Sequence, residues 1–139
     1  MAGPRSGSQR FVGAGGAVRP AGIEYRLMRE SVLRDYRRGR LGREDICDAQ
    51  PELLRVARNL GNVTASGCPI CEESNLVHVT FAFGARLPAC GRALGSGELA
   101  ELSRRAGQFA CYLVEVCTAC SWNHLLRMFS LGRELPRLP

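Results

Sequence analysis

The stretch CTACSWNH, residues 117 to 124, brings two thiols, an imidazole and the only tryptophan of the chain into eight positions. A second cysteine pair, CPIC at residues 68 to 71, has the same two-residue spacing. Two residues between thiols let a tight turn point both sulfur atoms at one ion, and two such turns supply a closed tetrahedral site. The sequence therefore predicts a structural Zn²⁺ whose four ligands are Cys68, Cys71, Cys117 and Cys120.

Other uses of a C-x-x-C pair fit the sequence less well. A thioredoxin-type dithiol has one such motif in a βαβ setting, and here there are two without that setting. Haem attachment needs histidine directly after the second cysteine, where Glu72 and Ser121 stand. An iron centre with four sulfur ligands stays open, because iron and zinc share these ligands. His124 is an alternative ligand that would replace one thiolate.

The remaining cysteines have no partner at metal-binding spacing. Cys47, Cys90 and Cys111 are therefore expected to be small buried hydrophobic residues. Trp122 is expected to pack over the small core beneath the metal.

The motifs of an active site are missing from the sequence. Four thiolates leave a metal ion no open position for a substrate. The chain has no H-E-x-x-H or deaminase signature, and neither of its two histidines stands near an obvious nucleophile. We therefore expect that the protein is not an enzyme.

Strand-like segments adjoin both cysteine motifs. In NLVHVTFAFG, residues 75 to 84, apolar side chains at every second position predict a half-buried strand. FACYLVEV (109–116) and WNHLLRMFSL (122–131) are strand-like by their aromatic and β-branched content, although poorer alternation leaves a helix open for the last segment. In the strand predicted over residues 75 to 84, one side would be apolar and consist of Val77, Val79, Phe81 and Phe83. The other side would consist of His78, Thr80 and Ala82.

Helical patterns precede the first cysteine motif. A helix is predicted over residues 23 to 38, supported by an ion pair between Glu30 and Arg34. Its apolar face would consist of residues at helical spacing, Tyr25, Met28, Val32 and Tyr36. A second helix is expected to begin at Pro51, because proline suits the first helical position, and to end at Gly61.

A third helix is predicted between the two cysteine motifs. Forty-five residues separate the motifs, more than the roughly 15 to 20 of a compact zinc site. Residues 96 to 107 have a short apolar face, with Ser96 as a candidate cap and Gly107 at the end. The predicted fold class is α+β, with N-terminal helices followed by a small antiparallel zinc-ribbon sheet that carries an inserted helix.

The chain is expected to form one domain after a tail. Residues 1 to 22 contain six glycines, two prolines and no acidic residue, which predicts disorder. Residues 23 to 66 would form a helical basic segment, and residues 67 to 135 a zinc-ribbon-like segment packed against it.

The basic charge lies mainly in the first half of the chain. All nineteen basic residues are arginine, and residues 1 to 66 carry five of the six net positive charges. Acidic residues lie in the same region, so an alternative to a binding surface is a solvated face on which the arginines form ion pairs with these acidic residues. The candidates for contact with nucleic acid or an acidic partner are Arg34, Arg37, Arg38, Arg40 and Arg43.

Cysteine usage and hydropathy bear on the compartment. The N-terminus does not resemble a secretory signal, so seven cysteines favour metal binding in a reducing cytoplasm. No apolar run approaches the roughly 18 to 20 residues of a membrane-spanning helix, so no membrane contact is expected.

From about residue 23 onward the chain resembles a family of small actinobacterial proteins catalogued as a domain of unknown function. The resemblance implies a zinc-ribbon-like protein and no particular activity or substrate. It is carried by ICDAQPELLRVARNLG (46–61), CPIC (68–71), LVHVTFAFG (76–84) and YLVEVCTACSWNHLLRMFSLG (112–132).

Three functional hypotheses follow from these features. The first is a non-enzymatic regulatory or adaptor protein that docks on a protein partner, with RNA polymerase favoured by analogy with other zinc ribbons. The alternative is direct binding of nucleic acid or the ribosome through the arginine-rich segment. The third is redox sensing, in which an oxidant ejects the metal.

Overall fold

The computed structural model describes residues 22–133, and the predicted N-terminal tail lies outside this range apart from Gly22. The described residues form a mixed α+β structure with one six-stranded antiparallel sheet and four helices. The strands are β1 (Gly22–Glu24), β2 (Asn62–Gly67), β3 (Asn75–Gly84), β4 (Arg92–Leu94), β5 (Phe109–Val116) and β6 (Asn123–Leu131). The helices are α1 (Arg26–Arg37), α2 (Arg43–Ile46), α3 (Pro51–Leu60) and α4 (Glu98–Ser103).

The strand order brings the two cysteine motifs to the same end of the sheet. The order is β1-β6-β5-β3-β2, and β4 pairs with the second half of β3. Strands β3 and β5 run antiparallel from the pair Val77–Val116 to the pair Gly84–Phe109. The start of β3 therefore lies beside the end of β5, so the β2–β3 and β5–β6 turns, which carry the cysteines, are neighbours.

Both faces of β3 carry buried residues, whereas the sequence predicts a strand buried on one face. On one face, Val77 and Val79 pack with Ala57 of α3. On the other face, Ala82 is fully buried in a cluster that includes Leu102 of α4. The side expected to be exposed therefore also contributes to the core.

The prediction for α3 is confirmed at both ends. Pro51 occupies the first turn, and Gly61 is the C-terminal cap. A Cβ atom at Gly61 would lie 2.2 Å from Val77 Cγ1 and 2.5 Å from the Ala57 carbonyl oxygen. Glycine is therefore required where the end of α3 approaches the sheet.

The N-terminal helix starts later than predicted. Residues 22 to 24 form β1 against β6, so α1 begins at Arg26 instead of residue 23. Its buried residue is Leu33, whereas Met28 of the predicted apolar face is exposed. The segment from 23 to 66 thus contributes strands β1 and β2 as well as helices.

The expected Glu30–Arg34 pair is replaced by another contact of the same carboxylate. Glu30 Oε2 accepts a hydrogen bond from Arg29 Nη1 at 3.0 Å. The prediction considered only residues one helical turn apart, which share a helix face. It therefore did not include Arg29, because adjacent residues of a helix do not face each other.

The inserted helix α4 is present but shorter than residues 96 to 107. Gly97, with a φ of 87°, is the N-terminal cap in place of Ser96. The Glu98 carboxylate accepts the Gly95 N–H at 2.6 Å and so closes the turn that precedes the helix. Helix α4 ends at Ser103, not at Gly107.

The last segment is strand β6, which excludes the helical alternative. None of the helices in residues 22–133 is long and apolar enough to cross a membrane.

Candidate metal centre

The four cysteines of the two motifs come together, as the sequence predicts. Their Sγ atoms all lie within 4.8 Å of one another. Cys68 Sγ is 3.7 Å from Cys120 Sγ, and Cys71 Sγ is 3.7 Å from Cys117 Sγ. Four sulfur atoms about 2.3 Å from one zinc ion would lie about 3.8 Å apart in a tetrahedron. The cluster therefore has the size of a four-thiolate metal site.

The two C-x-x-C turns have matching backbone structures. In each turn the residue after the second cysteine donates its N–H to the carbonyl of the first, from Glu72 to Cys68 at 3.2 Å and from Ser121 to Cys117 at 3.0 Å. Both donors adopt positive φ angles, 60° at Glu72 and 75° at Ser121, which is uncommon for residues other than glycine. Both turns thus share a less favourable backbone conformation, and in each turn the two sulfur atoms lie in the common cluster.

Backbone N–H groups point at the sulfur atoms. Ile70 N–H donates to Cys68 Sγ at 3.4 Å, and Cys120 N–H donates to Cys117 Sγ at 3.4 Å. Glu73 N–H donates to Cys71 Sγ at 3.5 Å. Such donors stabilise thiolate charge around a metal ion.

The centre lies half in the core. Cys68 and Cys117 are buried, whereas Cys71 and Cys120 are partly exposed. Trp122 is fully buried in the same cluster, which confirms its expected place beneath the cysteines. The other buried members of this metal-side core are Leu33, Ile46, Ile70 and Leu76.

The thiols of the centre differ in their tendency to ionise. Burial raises the pKa of Cys117 and that of Cys120 above the usual range. At Cys71, burial also acts to raise the pKa, but the Glu73 N–H and the neighbouring thiols outweigh it and lower the pKa. A divalent cation would favour four thiolates, because coordination takes place through the deprotonated sulfur.

A buried ion pair adjoins the centre and was missed in the sequence. Glu115 is only 3% exposed, and its Oε2 accepts hydrogen bonds from Trp122 Nε1 at 2.8 Å and Arg29 Nε at 2.6 Å. These contacts link helix α1 to strand β5 and to Trp122, the residue before β6. The available signal was an acidic residue within the otherwise apolar stretch FACYLVEV.

His124 lies outside the set of four sulfur atoms. Its Nδ1 donates a hydrogen bond to the Leu125 carbonyl at 2.7 Å, and its ring stacks on Trp122 with centroids 5.9 Å apart. Within residues 22–133 the cluster that could hold a metal consists of the four cysteines.

Two of the three other cysteines differ from expectation. Cys47, expected to be buried, is partly exposed, and its Sγ lies 3.6 Å from Cys120 Sγ. Cys90 is exposed instead of buried. Cys111 is fully buried as predicted, and burial raises its pKa to about 11. The proximity of Cys47 could not be seen from spacing, because 73 positions separate it from Cys120.

The candidate arginines gather near one side of the centre. All five are exposed, at the end of α1, in the turn that follows it and at the start of α2. Tyr36 and Leu41 from the same region pack against the metal-side core. Arg40 pairs with Asp35 at 3.4 Å, and Arg43 Nη2 donates to the Ile70 carbonyl at 3.4 Å. The structure thus anchors this basic surface beside the first cysteine turn.

Comparison with known proteins finds one family model and mycobacterial relatives. The family model described as "Family of unknown function (DUF5318)" matches residues 18–138. The uncharacterized proteins Mb0050 of Mycobacterium bovis and Rv0049 of Mycobacterium tuberculosis are each 42% identical over 118 residues, which cover 84% of this chain and 86% of theirs. No solved structure matches the chain.

Proposed function

The chain belongs to the DUF5318 family, whose description assigns no activity, and we propose that it is a non-enzymatic adaptor built around a structural zinc centre. The observation that carries this proposal is the mutual approach of four Sγ atoms within 4.8 Å. In the proposal Zn²⁺ is held by Cys68, Cys71, Cys117 and Cys120, and the two cysteine turns act as the knuckles of a zinc ribbon.

The donor set supports a structural ion instead of a catalytic one. Four thiolates complete a tetrahedral shell and leave no position for substrate or water. Two of the four cysteines, Cys68 and Cys117, are only 2% and 0% exposed. An ion at this place joins the β2–β3 turn to the β5–β6 turn and offsets the charge of thiolates that burial would otherwise disfavour.

The proposed partner is a protein with an acidic surface. The exposed arginines beside the metal-side core give the adaptor a cationic face, and the ordered turn from α1 to α2 presents it with little further loss of entropy on binding. Zinc ribbons recur in the transcription machinery, so RNA polymerase is the favoured partner by analogy of fold.

Direct binding of nucleic acid or the ribosome is the second candidate. It is favoured by the same exposed side chains, because Arg34, Arg37 and Arg38 lie close together along the end of one helix. Guanidinium groups in such a row suit phosphate contacts. Ion pairing of Arg40 with Asp35 reduces the charge available for them.

Elemental analysis tests the metal centre. We expect one zinc per chain in protein purified without added metal. Iron in its place would support the four-cysteine site but contradict zinc as the bound ion. After Co²⁺ exchange, the visible spectrum should show four-thiolate tetrahedral coordination. Protein that contains no stoichiometric metal and fails to bind Zn²⁺ or Co²⁺ would contradict the proposal.

Affinity capture separates the two candidate functions. A defined protein recovered from lysate after nuclease treatment supports the adaptor, and loss of all partners on nuclease treatment supports nucleic-acid binding. Arg34→Gln with Arg37→Gln should weaken either interaction, whereas Arg104→Gln, at an exposed arginine on the end of α4, is the matched control. Binding to a generic duplex should fall steeply with salt only under the second candidate.

A further inference from the structure

We propose that Cys47 is a redox-active fifth thiol of the centre, which forms a disulfide with Cys120 when a hydroperoxide oxidises the site and thereby releases the metal. The proposal rests on the metal centre described above and adds a means of regulating it. It assigns a role to a cysteine that the four-ligand site does not use.

The distance between the two sulfur atoms supports this pairing. Cys47 Sγ lies 3.6 Å from Cys120 Sγ, while the distance from Cys120 Sγ to Cys68 Sγ is 3.7 Å. The fifth thiol is therefore as near to Cys120 as a fellow ligand is. A disulfide bond of about 2.05 Å requires the two sulfurs to approach by about 1.5 Å, a distance that side-chain rotation can supply.

The position of Cys47 is held by contacts with the second cysteine turn. Ile46, the preceding residue, is buried in the metal-side core. Ala49 N–H donates to the Ser121 carbonyl at 3.0 Å, and Asn123 Nδ2 donates to Asp48 Oδ1 at 3.0 Å. These two hydrogen bonds hold the residues that follow Cys47 against the turn that contains Cys120.

Exposure makes Cys120 the ligand most suited to this reaction. Cys68 and Cys117 are buried, so an oxidant in water does not reach them readily. Cys120 and Cys47 are both partly exposed. Cys71 is also partly exposed, but its close sulfur neighbour at 3.7 Å is Cys117, itself a ligand. A partly exposed ligand beside a partly exposed thiol that is not a ligand is the arrangement of an attacked and a resolving cysteine.

The reaction consumes one hydroperoxide and two thiols. The Cys120 sulfur attacks one peroxide oxygen and the O–O bond breaks, giving a sulfenic acid and one water, or an alcohol from an organic hydroperoxide. Cys47 Sγ then attacks the Cys120 sulfur, the S–S bond forms, the S–O bond breaks, and a second water leaves with the Cys47 proton. The two sulfurs lose two electrons in total, and the peroxide gains them.

The consequence for the metal is the loss of one ligand. Three thiolates remain, from Cys68, Cys71 and Cys117, and the oxidised Cys120 no longer offers a thiolate. Zinc bound by three cysteines has an open position and a lower affinity, so a chelator can remove it. Reduction of the disulfide restores the fourth thiolate, which makes the release reversible.

Peptide mapping of peroxide-treated protein tests the proposal directly. The metal content of the full chain is first measured, then one to a few equivalents of hydrogen peroxide are added in the presence of a chromogenic chelator. We expect a peptide linked through Cys47 and Cys120, formed in parallel with metal release, and return of bound zinc after dithiothreitol and Zn²⁺ are added. A predominant bond between two ligands, or a free Cys47 thiol after complete metal release, would overturn it.

Two variants sharpen the result. Cys47→Ser should bind one metal as the parent does but should recover several-fold less of it after reduction, because an unresolved sulfenic acid proceeds to sulfinic acid. Cys90→Ser removes an exposed thiol that is not part of the cluster and should behave as the parent does. Recovery by Cys47→Ser equal to the parent would contradict the role of Cys47.

Failure of the metal centre is distinguishable from failure of the thiol pair. Absence of metal in untreated protein contradicts the zinc centre, whereas the linked peptide reports on Cys47 by itself. If Cys47→Ser misfolds, Cys47→Ala and the map of the parent still decide the question.

Discussion

Glu115 shows how one buried carboxylate can organise the side of the sheet next to the cysteine cluster. Its Oε2 receives hydrogen bonds from Arg29 and Trp122, so removal of the carboxylate leaves two donors without their acceptor. Breaking a buried ion pair costs more than the pair itself contributes, because the remaining charge stays partly desolvated.

We expect Glu115→Ala to lower the free energy of unfolding by about 3 kcal/mol, near the lower end for a buried pair because Arg29 keeps some exposure. Urea denaturation of the metal-loaded protein measures this. Glu52→Ala removes a carboxylate from an exposed pair with Arg55 and is the matched control, for which little change is expected. Equal effects of the two variants would contradict the organising role of Glu115.

The two cysteines distant from the metal centre should differ in reactivity. Cys90 is exposed, whereas Cys111 is fully buried and burial raises its pKa to about 11. At pH 7.5 we expect iodoacetamide to alkylate Cys90 at least tenfold faster than Cys111 in folded, metal-loaded protein, because the thiolate is the nucleophile. Mass spectrometry of peptides measures both rates. In urea with a chelator the difference should disappear, and its persistence there would exclude burial as the cause.

His78 is expected to make stability depend on pH. Burial lowers the pKa of His78, and Arg26 and Arg29 lower it further, against an opposing effect of Glu115. The unfolded chain, with a histidine pKa of about 6.5, then binds more protons than the folded chain, so stability is full above about pH 7 and falls as the pH drops below it.

The corresponding experiment compares parent and His78→Gln by urea denaturation at pH 7.5 and pH 5.5. The parent should lose more stability than the variant over this interval. Loss of metal at low pH affects both proteins, so the difference between them isolates the histidine. An identical pH dependence would show that His78 titrates alike in the folded and unfolded states.

At the scale of elements, the register between β3 and β5 brings the four cysteines together. Pairing of Val77 with Val116 sets the two cysteine turns side by side, and α3 packs on this end of the sheet through Ala57. The close approach depends on Gly61, where a Cβ would lie 2.2 Å from Val77 Cγ1.

We expect Gly61→Ala to destabilise the protein by about 1 to 3 kcal/mol, as overpacking at a fixed backbone contact does. Thermal or urea unfolding measures the change. Gly67→Ala is the control, because a Cβ at Gly67 meets nothing within 4 Å, and its effect should stay within about 0.5 kcal/mol. A neutral Gly61→Ala would mean that α3 can move away from the sheet without loss.

For the whole molecule, the proposed ion links segments far apart in sequence. The β2–β3 and β5–β6 turns share the metal-side core with Leu33 of α1 and Ile46 of α2. Structural zinc contributes on the order of 10 kcal/mol or more to folding, comparable with the whole stability of a small domain. The ion would therefore decide whether this end of the molecule is folded.

Removal of one ligand should thus affect folding and not a reaction rate. We expect Cys117→Ser to lose metal and to lower the midpoint of thermal unfolding by more than about 10 °C, given about 4 to 8 °C per kcal/mol in small domains. Strong chelation of the parent should have the same effect, and zinc should reverse it. Cys90→Ser is the control. A Cys117→Ser variant that melts like the parent would show that the cysteines do not stabilise the fold through a metal.

Local patterns in the sequence determined the cluster of four cysteines and most of the elements. The C-x-x-C spacing identified Cys68, Cys71, Cys117 and Cys120, because a turn of four residues is sufficient to orient two thiols. Alternation and β-branched content predicted β3, β5 and β6, and Pro51 with Gly61 bounded α3, because these signals act over a few residues.

Only the tertiary structure decided the contacts between distant segments. Cys47 meets Cys120 across 73 positions, and Arg29 meets Glu115 across 86, distances over which periodicity carries no information. Strand β1 forms because β6 offers it an edge, and Ala82 is buried because α4 covers it. These contacts are determined by the register of the sheet and the packing of the helices. Both depend on the whole chain and not on any short segment of it.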